Sequence, residues 1–147
     1  MRIYLGYLVR GEFYDYYDNL LREISSRFNL ENLLKKSRIP HITFKSPFET
    51  AYYPKIEDII NNFCNMNAPP DFKIDGFGLF DRDVVYFKVF TSNETKQIIG
   101  TLFKCLQTIP NISFDKYDDK NKELHITLMK NREITKSFDE VWKYVSF

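Results

Sequence analysis

The sequence predicts a mixed α+β fold in a single domain over residues 1–147, and three observations carry that reading. Strand-like apolar runs are interleaved with longer segments whose apolar residues recur every three to four positions. The breaks between them are mostly short. The frame His, apolar, Thr, apolar occurs twice, at residues 41–44 and 125–128, in loosely corresponding places of two halves. An internal duplication with pseudo-twofold symmetry would account for that placement, although only the His-Ile-Thr core repeats.

Residues 2–9 form an apolar, strand-like run. From there Phe13, Tyr16, Tyr17, Leu20, Leu21, Ile24 and Phe28 recur at helical spacing. The polar, Lys- and Asn-rich stretch 29–38 predicts a loop or short helix. Pro40 favours an extended residue ahead of the first His strand. Pro54 suits the first turn of a helix whose stripe is Ile56, Ile59, Ile60 and Phe63, and Ala68-Pro69-Pro70 ends it. Residues 72–80 and 84–90 are two strands joined by a hairpin at Asp81-Arg82-Asp83. A second long helix starts near Ser92 and carries Ile98, Ile99, Leu102, Phe103 and Leu106 on one face. The polar loop Asp115 to Lys122 leads into the second His strand. Ser137 followed by Glu140 predicts a capping box opening a last helix, which docks through Phe138, Val141, Trp142 and Val145.

A formal charge of +1 gives no general field that would draw nucleic acid, so any basic character must be local. With 44% hydrophobic and 17% aromatic residues the chain can bury a sizeable core. Cys64 and Cys105 stand alone on apolar stretches without Cys-x-x-Cys spacing, which predicts buried free thiols in a reducing compartment. No metal-ligand spacing is present. The first six residues lack the apolar core of a signal peptide, and no run of about 20 apolar residues occurs. A cytoplasmic monomer, away from membranes, is the expectation.

The two histidines are the only ones in the chain. Ser and Thr fill 16 of 147 positions, so both histidines having one at +2 by chance is of order 1%. Residues two apart on a strand share a face. Each motif therefore sets an imidazole beside a hydroxyl, His41 with Thr43 and His125 with Thr127. Ile42, Phe44, Ile126 and Leu128 turn to the other face. An imidazole has an ordinary pKa of about 6.5, so neutral and protonated forms coexist near pH 7. Two of them on opposite sides of a phosphorus can act as base and acid, while the threonine hydroxyls donate to non-bridging oxygens. Hydrolysis of a 2′,3′-cyclic phosphate needs that set, and the reverse direction joins ends with a ribose hydroxyl in place of water. Which histidine is base and which acid does not follow from the sequence.

The segments Ile39-Pro40-His41-Ile42-Thr43-Phe44-Lys45-Ser46-Pro47-Phe48 and Leu124-His125-Ile126-Thr127-Leu128-Met129-Lys130 resemble the two-histidine phosphoesterase superfamily, the LigT-like or 2′-5′ RNA ligase proteins. So do the 84-residue separation of the histidines and the order of elements. The resemblance spans nearly the whole chain. It implies a bilobal, pseudo-twofold antiparallel-sheet fold with helices outside and a central cleft carrying the two His-x-Thr strands. It also implies a metal-independent phosphodiesterase or ligase, without a cofactor, acting on RNA ends or small cyclic nucleotides. A basic residue near Lys130 looks like a family feature.

Candidate substrate contacts are weaker. Lys45 shares the His41 face by alternation, and Lys130 lies five residues after His125, beyond a regular strand or on the opposite face; these two and Arg132 are each weighed against a solvated surface charge. Tyr86 and Lys88 share one face of their strand and could stack on a base and meet a phosphate. Tyr4 and Tyr7 are similar candidates on opposite faces of the first strand, each weighed against plain core packing. Alternatives are a 2′,5′-phosphodiesterase, a 2′-5′ RNA ligase, or a non-catalytic RNA-end or nucleotide-binding module. No Gly-x-Ser-x-Gly elbow or Gly-rich phosphate loop is present, so neither a serine nucleophile nor ATP dependence is expected.

Overall fold

A computed structural model describes residues 1–36 and 38–147. Its α+β architecture holds two small sheets. Strands β1 (Arg2–Leu8) and β2 (His41–Glu49) form one; β3 (Phe72–Phe80), β4 (Val84–Thr91) and β5 (Leu124–Lys130) form the other, in that order. Both are antiparallel. Val9 N donates to Pro40 O at 2.9 Å and Thr50 N to Met1 O at 3.0 Å, tying opposite ends of the β1–β2 pair. Asn131 N donates to Asp83 O at 2.6 Å, where the end of β5 lies beside the start of β4.

The helices are α1 (Glu12–Phe28), α2 (Tyr53–Met66), α3 (Asn93–Leu106), the single turn α4 (Asn131–Ile134) and α5 (Phe138–Ser146). Short 3₁₀ turns lie at Glu31–Leu34 and Thr135–Ser137. The Asp81–Asp83 hairpin is a type I′ turn. Asp83 N donates to Phe80 O at 2.8 Å, and Asp81 and Arg82 both have positive φ, 46° and 53°. That hand matches the strand twist, which is why a non-glycine pair tolerates it here.

The chain divides into two compact units. One comprises Met1–Gly6, Thr43–Lys73 and Phe90–Leu124; the other Tyr7–Ile42, Ile74–Val89 and His125–Phe147. In the first, α3 buries Ile99, Leu102, Phe103 and Leu106, and α2 packs on it and buries Ile56. Ser92 caps α3, accepting from Thr95 N at 3.2 Å. In the second, α1 buries Tyr17, Leu21 and Ile24, and removing a side chain such as Leu21 or Ile24 from water is worth about 1.5–3 kcal/mol. Phe87 of β4 receives the rings of Phe13 (5.1 Å, edge-on), Tyr17 and Phe77. Tyr144 of α5 sits against Phe28 and under the Arg27 guanidinium.

Two expectations change. Ser137 makes no side-chain cap on α5, because its backbone (φ −90°, ψ 3°) belongs to the preceding 3₁₀ turn rather than to the extended geometry a cap needs. Cys64 is exposed and Cys105 half-buried, because the apolar stretches that carry them are helical and only one stripe turns inward. The turn α4 and the 3₁₀ segment after it join β5 to α5. No helix is long and apolar enough to cross a membrane among the described residues.

Candidate active site

Both His-x-Thr motifs lie on strands, as alternation requires. His41 and Thr43 on β2 and His125 and Thr127 on β5 are all half-buried, while Ile42, Phe44, Ile126 and Leu128 are buried. Burial on one face and partial exposure on the other fixes the register of each motif, since a one-residue slip would bury the imidazole and expose the isoleucine. His41, His125 and Thr127 belong to the second compact unit, and Thr43 to the first.

The His41 ring has a defined orientation. Its Nδ1 lies 3.0 Å from Ile39 O. A carbonyl only accepts, so this contact is a hydrogen bond in the tautomer that carries its proton on Nδ1. The His125 ring is fixed by aromatic packing. Phe80 meets it edge-on at 4.9 Å and Tyr86 at 5.4 Å. Tyr86 in turn stacks on Phe80 with centroids 4.0 Å apart. Gly78 is what admits that ring. A Cβ there would fall 2.3 Å from Tyr86 Cζ and 2.4 Å from its oxygen.

The second motif is braced through its backbone. Tyr17 Oη donates to Thr127 O at 3.0 Å, and burial, only partly offset by the Arg38 charge, pushes this phenol up to about 12, so it remains a donor. Arg38 grips Glu133 at two points, 2.6 Å and 3.1 Å, and its Nη1 lies 3.5 Å from Leu128 O. Lys130 N donates to the same carboxylate at 2.8 Å. Burial raises Glu133, but the bonds from Arg38 and Lys130 N and the Arg38 charge outweigh it and hold the carboxyl below its ordinary range.

Lys45 differs from its expected role. Alternation is broken after Phe44, and the side chain is only 1% exposed. Its Nζ donates to Asp118 at 2.6 Å and lies against the rings of Phe48 and Phe114. Asp118, whose side chain is buried, also accepts from Ser46 N and Asp115 N at 2.8 Å and 2.9 Å. Burial raises this carboxyl, but the Lys45 and backbone hydrogen bonds outweigh it and hold it low. Lys122 Nζ donates to Phe44 O at 2.5 Å, and burial lowers its pKa against the pull of Asp118 and Asp115. The polar loop is thus clamped onto β2, and the Lys45 ammonium is committed to Asp118 rather than offered to a phosphate.

Tyr86 is likewise corrected as a base platform. It is 4% exposed, with one ring face covered by Phe80, because β4 is the central strand of its sheet and is buried on both faces from Val85 to Phe87. Lys88 on the same strand and Arg132 are exposed, and Lys130 is half-buried. Tyr4 and Tyr7 are exposed at 47% and 39%. Among the described residues no cluster of three or more His, Cys, Asp or Glu side chains is gathered that could hold a metal ion.

Arg38, Glu133, Tyr17, Gly78, Phe80 and Asp118 are the surroundings that sequence reasoning passed over. Only Gly78 carried a local signal, as a glycine inside a strand pattern marks a close approach. The ion pairs join positions 73 and 95 residues apart, which no local pattern reveals.

A mixed α+β chain with two antiparallel sheets and a His-x-Thr strand in each has the composition of a two-histidine phosphoesterase. A family model described as the 2'-5' RNA ligase superfamily matches residues 18–146, and the chain belongs to that superfamily. Comparison with curated proteins found no match.

Proposed function

We propose that the chain is a metal-independent phosphodiesterase acting on 2′,3′-cyclic phosphate ends of RNA or nucleotides. The observation that carries the reading is the repeated His-x-Thr, each copy on a strand with its imidazole and hydroxyl half-buried, inside the region matched by an RNA ligase superfamily. In this reading one neutral imidazole takes a proton from water as it attacks phosphorus. The other, protonated, gives one to the departing ribose oxygen. Thr43 and Thr127 donate to the non-bridging oxygens as charge builds there. The Ile39 carbonyl keeps His41 in the tautomer whose Nε2 exchanges the proton. Lys88 and Lys130 are candidates to meet a phosphate, and Tyr4 and Tyr7, exposed at 47% and 39%, are candidates to meet a base.

The test is product analysis with excess chelator on a 2′,3′-cyclic nucleotide, with His41→Ala and His125→Ala as controls. Turnover that survives chelation and is lost in each variant supports the assignment. Activity retained by both variants overturns it. The superfamily's own description favours a second reading, formation or cleavage of a 2′,5′ linkage, and a 2′,5′-linked dinucleotide in the same panel separates the two. Tight binding without turnover of any substrate would instead mark a nucleotide-binding module.

A further inference from the structure

We propose that Arg38 and Glu133 form a clasp that positions both histidine motifs, an inference that rests on the two-histidine reading above. Arg38 sits three residues ahead of His41, and Glu133 three residues past Lys130, the last residue of the His125 strand. The guanidinium and carboxylate meet fork to fork, and both side chains are about four-fifths buried. This two-point geometry fixes orientation as well as distance, which a lysine could not do.

Each end of the clasp reaches a motif. The Glu133 carboxylate also accepts from Lys130 N and so pins the end of β5. Arg38 Nη1 approaches the carbonyl of Leu128, the fourth residue of the second motif. Toward the first motif the connection is covalent. Ile39, the residue after Arg38, supplies the carbonyl that accepts from His41 Nδ1. If the segment before β2 is released, that carbonyl moves and the His41 ring loses the partner that selects its tautomer. Tyr17, bonded to Thr127 O, braces the neighbouring peptide from α1. The clasp touches no reacting atom in this scheme. It is a positioning pair, acting on His41 through Ile39 and on the second motif through Leu128 and Lys130.

The test uses the full chain and a readout that does not depend on turnover. Nitrogen-15 spectra report which imidazole nitrogen carries the proton, and with two histidines the His125→Ala variant assigns the signals. Wild type should show His41 protonated on Nδ1 in its neutral form. In Arg38→Met that preference should give way to a mixture, and kcat on a 2′,3′-cyclic nucleotide should fall about ten- to a hundred-fold, with KM within about two-fold. Glu133→Gln should move both readouts the same way. Arg38→Lys keeps the charge and stem but not the fork, and should show a smaller shift of the same kind, which covers the case of an Arg38→Met that does not fold. A folded Arg38→Met or Arg38→Lys with a wild-type His41 spectrum and wild-type kcat overturns the proposal. If wild type turns over no substrate, the phosphodiesterase reading fails by itself, while the His41 spectrum still decides the clasp.

Discussion

Replacing Lys45 with methionine removes the ammonium from a pair whose side chains are 1% and 0% exposed. The methionine keeps most of the volume between Phe48 and Phe114, so the loss is electrostatic rather than a cavity. Asp118 loses its ion-pair partner and keeps the N–H groups of Ser46 and Asp115 and the electrostatic pull of Lys122. Stranding one partner of a buried pair costs about 3–5 kcal/mol. At about 2–4 °C per kcal/mol for a chain of this size, melting should fall by roughly 6–20 °C. The pH dependence has a definite sign. The folded Asp118 pKa is depressed, so its contribution is fully present above its unfolded value of about 3.9 and is lost as pH falls through the folded pKa. The gap between wild type and Lys45→Met should therefore be widest near neutral pH and narrow below about pH 4. Urea titrations at several pH values measure this. Arg82→Met is the control, because the Arg82–Asp139 pair is about two-thirds exposed on each side and should change stability by no more than about 1 kcal/mol. A Lys45→Met protein as stable as the Arg82→Met control at pH 7 would refute the argument that burial makes this pair matter.

Gly78→Ala places a methyl inside the Tyr86 ring and should destabilise by about 1–3 kcal/mol in denaturant titration, with a loss of turnover because Tyr86 packs on His125. Tyr17→Phe removes the donor to Thr127 O and should cost about 1 kcal/mol, measured by the same titration. The rate on a cyclic phosphate should be bell-shaped in pH, and a rate rising monotonically over about pH 5–9 would argue against two imidazoles acting as acid and base.

The strands and helices were legible because each buries one face, and period alone marks that face. Ile42, Ile126 and Leu128 are all 0% exposed where alternation puts them. The hairpin at Asp81–Asp83 and the cap at Ser92 were legible from turn and cap chemistry, which is local. Lys45 misled because alternation predicts a face but not what covers it. Its partner lies in a polar loop whose sequence shows only hydrophilicity. Tyr86 misled for a related reason: the sequence places it on a face, but only the sheet order makes β4 central and buries both its faces. Arg38 and Glu133 look like surface charges in sequence, and only tertiary structure joins them.

In the proposed function the two His-x-Thr strands carry one reaction. The most direct measurement is turnover of a 2′,3′-cyclic nucleotide in excess chelator by wild type, His41→Ala and His125→Ala, each shown to be folded. Wild type should turn over the substrate, and each single variant should lose that turnover. Turnover that persists in either folded variant at near wild-type rate would contradict the proposed function.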